Sequence, residues 1–150
     1  MSQKFAAEDR PIEILLVEDN HGDAALMKQT LKLSRFPIHL NLARNGEDAL
    51  AYLRREGDYS YALEPDLILL DLHMPKKDGH EFLREIKNDP RWKHIPALVL
   101  TASHQDADVK MAYESRANFY LVKPHKVEQF SVLLKYLEDF WIKRLPAGVS

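Results

Sequence analysis

Residues Leu67 to Asp71 read LILLD, which is the most continuous apolar run in the chain and ends on a carboxylate. A strand buried on both faces, as in the interior of a parallel sheet, has this composition. The run therefore predicts a central strand. An aspartate at a strand end is often only a turn or cap residue. Asp71 fits that simple interpretation poorly, because four apolar residues precede it and it should be largely buried.

Strand and helix patterns alternate on both sides of this run. The predicted strands are Ile12 to Val17, Ile38 to Ala43, Leu67 to Asp71, Ile95 to Thr101 and Asn118 to Val122. The predicted helices are Asp23 to Leu33, Glu47 to Arg55, Asp78 to Asn88, Gln105 to Ser115 and Val127 to Lys143. Five strand–helix units with short connections predict an α/β fold, a doubly wound five-stranded parallel sheet with helices on both faces.

The size and composition of the chain limit its function. Its 150 residues predict one domain at 12 to 144, between short tails at 1 to 11 and 145 to 150. The net charge of −2 gives no general attraction to nucleic acid or to a membrane surface. Every apolar run is far shorter than the about 20 residues of a membrane-spanning helix. The absence of cysteine excludes disulfides and fits a reducing cytoplasm. We therefore expect a cytoplasmic domain with no nucleic acid or membrane partner.

Polar side chains stand where four of the predicted strands end. Glu18 and Asp19 follow the first strand, Asp71 ends the third, Thr101 ends the fourth and Lys123 follows the fifth. The carboxyl ends of parallel strands meet at one edge of the sheet, where doubly wound proteins bind their ligands. Clustered carboxylates repel one another, and a hard divalent cation relieves that repulsion. The sequence therefore predicts a Mg²⁺ site at this edge.

The chemistry of these residues points to phosphoryl transfer. An ionised aspartate can attack phosphorus and form an acyl phosphate. Mg²⁺ and the Lys123 ammonium would neutralise charge on the transferred group, and the Thr101 hydroxyl would donate a hydrogen bond to it. The predicted site has no histidine or serine nucleophile with a base beside it. We therefore expect one phosphoryl transfer onto Asp71 followed by slow hydrolysis, with no separate substrate.

These residues resemble the receiver domains of two-component response regulators, and the resemblance covers roughly residues 12 to 144. It rests on ILLVED at 14–19, DLHMPKKDG at 71–79, TAS at 101–103 and YLVKP at 120–124. The 30 residues from Asp71 to Thr101, and the 22 from Thr101 to Lys123, match the spacing in that family. The resemblance implies a flavodoxin-like sheet with strand order 2-1-3-4-5.

The resemblance also implies a role for each residue of the metal site. Asp71 would be the phosphoacceptor, and Asp19 and Asp71 would be ligands of Mg²⁺. The backbone carbonyl of His73 would be a third ligand, and Glu18 would act through water.

Three further roles follow from the same resemblance. Thr101 would be the hydroxyl switch and Lys123 the phosphoryl clamp. Tyr120 would be the aromatic side chain whose rotamer follows Thr101, with plain packing as the alternative. The bond between Lys123 and Pro124 would be cis, which is uncommon among X-Pro bonds.

A narrower resemblance concerns the partners. The stretches EGDY at 56–59, ANFY at 117–120 and FW at 140–141 are similar to stand-alone receivers paired with bacterial and cyanobacterial phytochromes. This resemblance implies a sensor histidine kinase, with a phytochrome as the candidate. Because only residues 145 to 150 follow the last predicted helix, we expect output through contact with a downstream protein target.

The last predicted helix carries a broad apolar surface. Val127, Phe130, Leu134, Leu137 and Trp141 lie at helical spacing, and Leu133, Tyr136 and Phe140 widen the stripe. A helix that covers one face of a sheet needs a stripe of about 100°. The extra width favours a partner protein or a covering tail, and packing on its own domain is the alternative. We expect a homodimer through the fourth helix, fifth strand and fifth helix of the predicted pattern.

Other functions fit the sequence less well. Phosphatases of the haloacid dehalogenase type carry an acid/base aspartate two residues after their nucleophile, whereas residue 73 is histidine here. A receiver-like binding module that has lost phosphorylation would not retain Asp19, Asp71, Thr101 and Lys123. A DNA-binding regulator would need a further domain after the last helix. The histidines at 80, 94, 104 and 125 show no ligand spacing and are expected at the surface, and Asp19 is a candidate cap for the first helix.

Overall fold

The computed structural model describes residues 10–71, 79–101, 119–122 and 130–144, with the backbone alone at 101, 119, 120 and 122. Its strands are β1 (Ile12–Val17), β2 (Ile38–Ala43), β3 (Leu67–Asp71), β4 (Ala97–Thr101) and β5 (Phe119–Val122). All neighbouring strands are parallel, and their order is β2-β1-β3-β4-β5. This confirms the predicted sheet, with LILLD as its central strand.

The fourth strand begins two residues later than predicted. Ile95 is buried, but its N–H donates to the Trp92 carbonyl (2.9 Å) and closes a turn. Pro96 has no N–H to donate to a sheet. Its carbonyl accepts the first bond from β3, from Ile68 N–H (3.0 Å), so regular pairing starts at Ala97. The apolar run therefore extends beyond the strand because part of it packs in a turn.

The described helices are α1 (His21–Leu31), α2 (Gly46–Arg54), α3 (Gly79–Lys87) and α4 (Ser131–Arg144), with a short 3₁₀ segment at Gly57–Tyr59. The predicted helix at 105–115 lies outside the described residues. Among the helices described, none has the length and hydropathy needed to cross a membrane. The start of α1 differs from the prediction: the cap is Asn20, not Asp19, and its side chain accepts from Asp23 N–H (2.9 Å).

The helices cover both faces of the sheet, as a doubly wound fold requires. Side chains on one face of β1, β3 and β4 pack with α2 and α3, and they include Leu15, Val17, Ile68, Leu70 and Val99. Side chains on the other face pack with α1 and α4, and they include Leu16, Leu67, Leu69, Leu98 and Leu100. Because β3 contributes to both cores, all five of its residues are buried.

Two polar residues of α3 are buried with its apolar face. His80 is only 8% exposed, so the predicted surface position was wrong. It lies three residues before Leu83 and seven before Lys87, on the side of the helix that packs inward. The Lys87 ammonium donates to the carbonyls of Ile95 (2.6 Å) and Lys93 (3.4 Å). These bonds tie the end of α3 to the segment that leads into β4.

An ionic network joins the two ends of the described chain at the amino edge of the sheet. The Arg10 guanidinium donates two hydrogen bonds to the Asp66 carboxylate (3.1 Å each) and lies 4.8 Å from the centre of the Trp141 ring. Asp66 also accepts from Glu13 N–H (2.8 Å), and Arg144 approaches it to 3.6 Å. One carboxylate just before β3 therefore connects the entry to β1 with the end of α4.

Candidate functional site

The acidic residues predicted at the strand ends meet at the carboxyl edge of the sheet. β1 and β3 are neighbours, and Val17 pairs with Leu70, so the residues that follow these two lie at the same level. Carboxylate oxygens of Glu18, Asp19 and Asp71 all lie within 4.8 Å of one another. Glu18 is 3% exposed and Asp71 is 5% exposed, whereas Asp19 is half-buried. The cluster therefore has two interior carboxylates and one that faces solvent.

Backbone hydrogen bonds position the first of these carboxylates. Glu18 N–H donates to the Ala43 carbonyl (2.9 Å), which ties the turn after β1 to the end of β2. The N–H of Asn20 donates to the Glu18 carboxylate (3.2 Å), while the Asn20 side chain caps α1. An added Cβ at Gly22 would lie 3.3 Å from that side-chain oxygen, so a glycine leaves room for the cap. The tight turn thus orients Glu18 and starts the helix together.

Asn20 is the functional neighbour that the sequence analysis missed. An asparagine three residues before Asp23, directly ahead of a helical pattern, is a recognisable N-cap signal. The signal was present, but the adjacent Asp19 offers the same cap chemistry. Only the positions of the side chains distinguish them: Asn20 bonds to the helix, and Asp19 belongs to the carboxylate cluster.

The donor set of this cluster fits a hard divalent cation. Three carboxylates in so small a volume repel one another, and the two buried ones are screened little by solvent. Mg²⁺ and Mn²⁺ prefer oxygen ligands, and the cluster contains no nitrogen or sulfur donor. The geometry of the cluster is therefore consistent with the binding of Mg²⁺ or Mn²⁺.

The strand register locates the backbone of two more predicted site residues. Asp71 pairs with Leu100 in β4, so Thr101 is one residue farther along on the neighbouring strand. Thr101 in turn pairs with Val122 at the end of β5. The backbone of Tyr120 pairs with Val99, two residues inside the edge. The side chains of Thr101 and Tyr120 are not among those described, and His73, Lys123 and the Lys123–Pro124 bond lie outside the described residues.

Sequence comparison places these features among known proteins. The response regulator receiver domain family matches residues 14–135. The chain is 43% identical over 140 residues to the response regulator Rcp1 of Synechocystis sp., an alignment that covers 92% of this chain and 95% of Rcp1. It is 40% identical over 136 residues to the probable methanogenesis regulatory protein FilR2 of Methanothrix harundinacea. That alignment covers 91% of this chain and 86% of FilR2.

Solved structures give the same result for the fold. The phosphorylated cyanobacterial phytochrome response regulator RcpA superposes with a TM-score of 0.78 at 44% identity. The superposition covers 88% of this chain and 94% of RcpA. The Mn²⁺-bound form of Rcp1 superposes with a TM-score of 0.77 at 43% identity. The superposition covers 91% of this chain and 100% of Rcp1. Both similarities extend over nearly the whole length of each chain.

Proposed function

Because this chain belongs to the response regulator receiver domain family, we propose that it accepts a phosphoryl group from a histidine kinase on Asp71 and transmits the signal to a protein partner. The observation that carries the choice of Asp71 is its place in the structure. It is the last residue of the central strand, is almost fully buried, and lies within 4.8 Å of two further carboxylates. A carboxylate held there can face an incoming phosphoryl group.

The transfer itself is a displacement at phosphorus. A carboxylate oxygen of Asp71 forms a bond to the phosphorus of the kinase phosphohistidine, and the phosphorus–nitrogen bond breaks with its electrons returning to the imidazole. Hydrolysis of the acyl phosphate later regenerates the carboxylate. The chain catalyses only these two steps on itself, because the proposed nucleophile is one of its own residues.

Mg²⁺ is the proposed cation, held by Asp19 and Asp71, with the His73 backbone carbonyl as a further ligand and Glu18 acting through water. Support comes from the all-oxygen cluster and from the relative Rcp1, which was crystallised with Mn²⁺. When bound, the cation would neutralise the carboxylates and the charge of the phosphoryl group. Burial of Glu18 and its bond from Asn20 N–H keep this carboxylate directed at the cluster.

Thr101 and Lys123 complete the proposed site. The register of β3, β4 and β5 supports this assignment, since Thr101 follows the pairing partner of Asp71 and Lys123 follows Val122 along the chain. We assign the Thr101 hydroxyl to the switch, the Lys123 ammonium to the phosphoryl group, and Tyr120 to the change that follows the switch. The conformational change would then be transmitted from the site along β4 and β5.

A phytochrome-type histidine kinase is the proposed donor. The relatives RcpA and Rcp1 support it, because RcpA is a cyanobacterial phytochrome response regulator and both are more than 40% identical to this chain. We propose a cytoplasmic setting and a protein target downstream, with no role for nucleic acid or membrane. The net charge of −2 is consistent with these proposals.

Phosphorylation of the intact chain tests the assignment of Asp71. The protein is incubated with Mg²⁺ and either acetyl phosphate or a phosphorylated phytochrome kinase, and the modified residue is mapped by mass spectrometry. We expect label on wild type and none on Asp71→Asn, because an amide oxygen is a poor nucleophile. Asp58→Asn, at an exposed position in the 3₁₀ segment, is the matched control and should be labelled normally. Label that persists in Asp71→Asn would disprove the assignment.

A further inference from the structure

An apolar groove runs between α1 and the edge strand β2. Two adjacent cavities form it, with volumes of about 490 and 230 Å³. The larger is lined by the second half of α1 and by residues in the segment 34–40, and the smaller by the first half of α1 with Leu16 and Leu42. Lys28 and Leu40 line both, so the cavities form one continuous depression, which we call the α1–β2 groove.

The floor of the groove is more apolar than an edge strand usually presents. Ile38, Leu40 and Leu42 alternate along β2 and point to the side of α1. Leu42 is 39% exposed, and the other two are half-buried. β2 pairs only with β1 in the described sheet, so its outer edge is open there. Because α1 covers this apolar row only in part, hydrophobic surface remains open to solvent, and such surface is a feature of interaction sites.

The rim of the groove carries positive charge. Lys28 and Lys32 are exposed one helical turn apart, and both line the larger cavity. Arg35 follows three residues later but lines neither cavity: its guanidinium lies 5.2 Å from the centre of the Phe36 ring, and its backbone N–H donates to the Glu138 carboxylate (3.2 Å). No carboxylate lines either cavity among the described residues. An occupant would therefore meet apolar side chains below and cations along one side.

We propose that the α1–β2 groove docks a short acidic, amphipathic segment of a partner protein. From Ile38 to Leu42 the strand spans about 13 Å, from a rise of ~3.3 Å per residue. Two turns of helix cover about 11 Å, so two or three large apolar side chains of the segment fit over the leucines while its carboxylates face the two lysines. The groove shares no residue with the carboxylate cluster, so this interaction is separate from the proposed phosphotransfer.

Two synthetic peptides test the proposal on the whole chain by NMR titration. The first carries leucine at helical i, i+3, i+4 and i+7 spacing with glutamate elsewhere, and the second has lysine in place of every glutamate. We expect the glutamate peptide to shift the backbone signals of residues 24–42 and the lysine peptide to leave them unchanged. Equal binding of the two peptides, shifts that map outside the groove, or no binding of the glutamate peptide would overturn the proposal.

Charge reversal at the rim gives the matched comparison. The double variant Lys28→Glu/Lys32→Glu should bind the glutamate peptide about tenfold or more weakly, because two attractive contacts become repulsive. Lys135→Glu changes an exposed lysine on α4 and should bind as wild type does. Phosphorylation of Asp71 by acetyl phosphate, measured in parallel, should be normal in all three proteins and shows that they are folded. Unchanged affinity in the double variant would overturn the proposal, because the lysines would then take no part in binding the segment.

Discussion

At the level of single residues, three consecutive polar positions after β1 have three different environments. Glu18 is buried and accepts a bond from Asn20 N–H, Asp19 is half-buried at the cluster, and Asn20 caps α1. Their order therefore links the start of a helix to the orientation of a carboxylate of the proposed metal site. The N-terminus of α1 begins directly after these residues, and the helix dipole also favours negative charge there.

Replacement of Asp19 tests whether the cluster holds a cation. We expect Asp19→Ala to lose both Mg²⁺ binding and phosphorylation, because an anionic phosphoryl donor does not approach clustered carboxylates without a cation. Calorimetric titration with Mg²⁺ and label incorporation from acetyl phosphate measure the two effects. The exposed Asp58→Ala serves as control and should retain both. Normal phosphorylation of wild type in an excess of chelator would contradict the metal requirement.

At the level of the helices and strands, α3 depends on a buried cation at its last residue. Lys87 reaches the carbonyls of Ile95 and Lys93 and so fixes the turn that delays β4 until Ala97. Burial lowers the pKa of Lys87 below its usual value of 10.5. The hydrogen bonds favour the ammonium, but the loss of hydration is the larger effect on its protonation.

The lowered pKa predicts a particular dependence of stability on pH. Between the folded pKa of Lys87 and the usual 10.5, the unfolded chain binds more protons, so the free energy of unfolding rises with pH across that window. Lys87→Met removes this titration. We expect the stability of wild type relative to Lys87→Met to increase as the pH rises towards 10.5, measured by urea unfolding. Lys135→Met, at an exposed site, should give a curve parallel to wild type; parallel curves for Lys87→Met would contradict the assignment.

At the level of the whole molecule, α4 has two surfaces. Leu133, Leu137 and Trp141 are buried against the sheet together with Phe130. Leu134, Tyr136 and Phe140 are only partly buried, Tyr136 and Phe140 are stacked 6.3 Å apart, and Val132 is 59% exposed. The predicted packing of the helix on its own domain thus accounts for the four buried side chains of the apolar stripe, whereas Leu134, Tyr136 and Phe140 remain partly exposed. Val127 lies outside the described residues.

That remaining surface leads to a prediction about assembly. We expect phosphorylation of Asp71 to strengthen self-association through residues 105–115, β5 and α4. β5 pairs with β4 up to Thr101, the proposed switch residue, and Leu121 of β5 packs in the same core as α4. The phosphorylated form must dimerise more tightly, since a shift in population requires a difference in affinity. Sedimentation velocity with and without acetyl phosphate measures it.

Matched variants distinguish an effect of this surface from the effect of removing any exposed aromatic side chain. Tyr136→Ala and Phe140→Ala should reduce the dimer fraction, whereas Tyr61→Ala, at a 95% exposed tyrosine outside α4, should not. Equal monomer fractions for both phosphorylation states at all concentrations would assign the α4 surface to the kinase or to a downstream target.

Local sequence patterns were sufficient to predict the sheet and the clustering of acidic residues at one of its edges. Period-2 and continuous apolar runs depend on neighbouring residues, and parallel strands necessarily bring their carboxyl ends to one edge. LILLD as the centre of the sheet and the cluster of Glu18, Asp19 and Asp71 follow from such local rules. The strand order was predicted from the resemblance to receiver domains, not from these rules. The five strands and four of the five predicted helices are present in the described residues, with ends shifted by a few residues.

Other features depend on which distant residues come into contact. Packing across the fold decides three such features. It decides whether Asp19 or Asn20 caps α1, whether Ile95 belongs to the strand or to the turn, and whether His80 faces the core. The ionic network around Asp66 joins residues 10 and 144, which no local window contains. The α1–β2 groove is likewise a space between two elements. Such features are not encoded in a periodic pattern, because burial and hydrogen bonding depend on the surface that an element packs against.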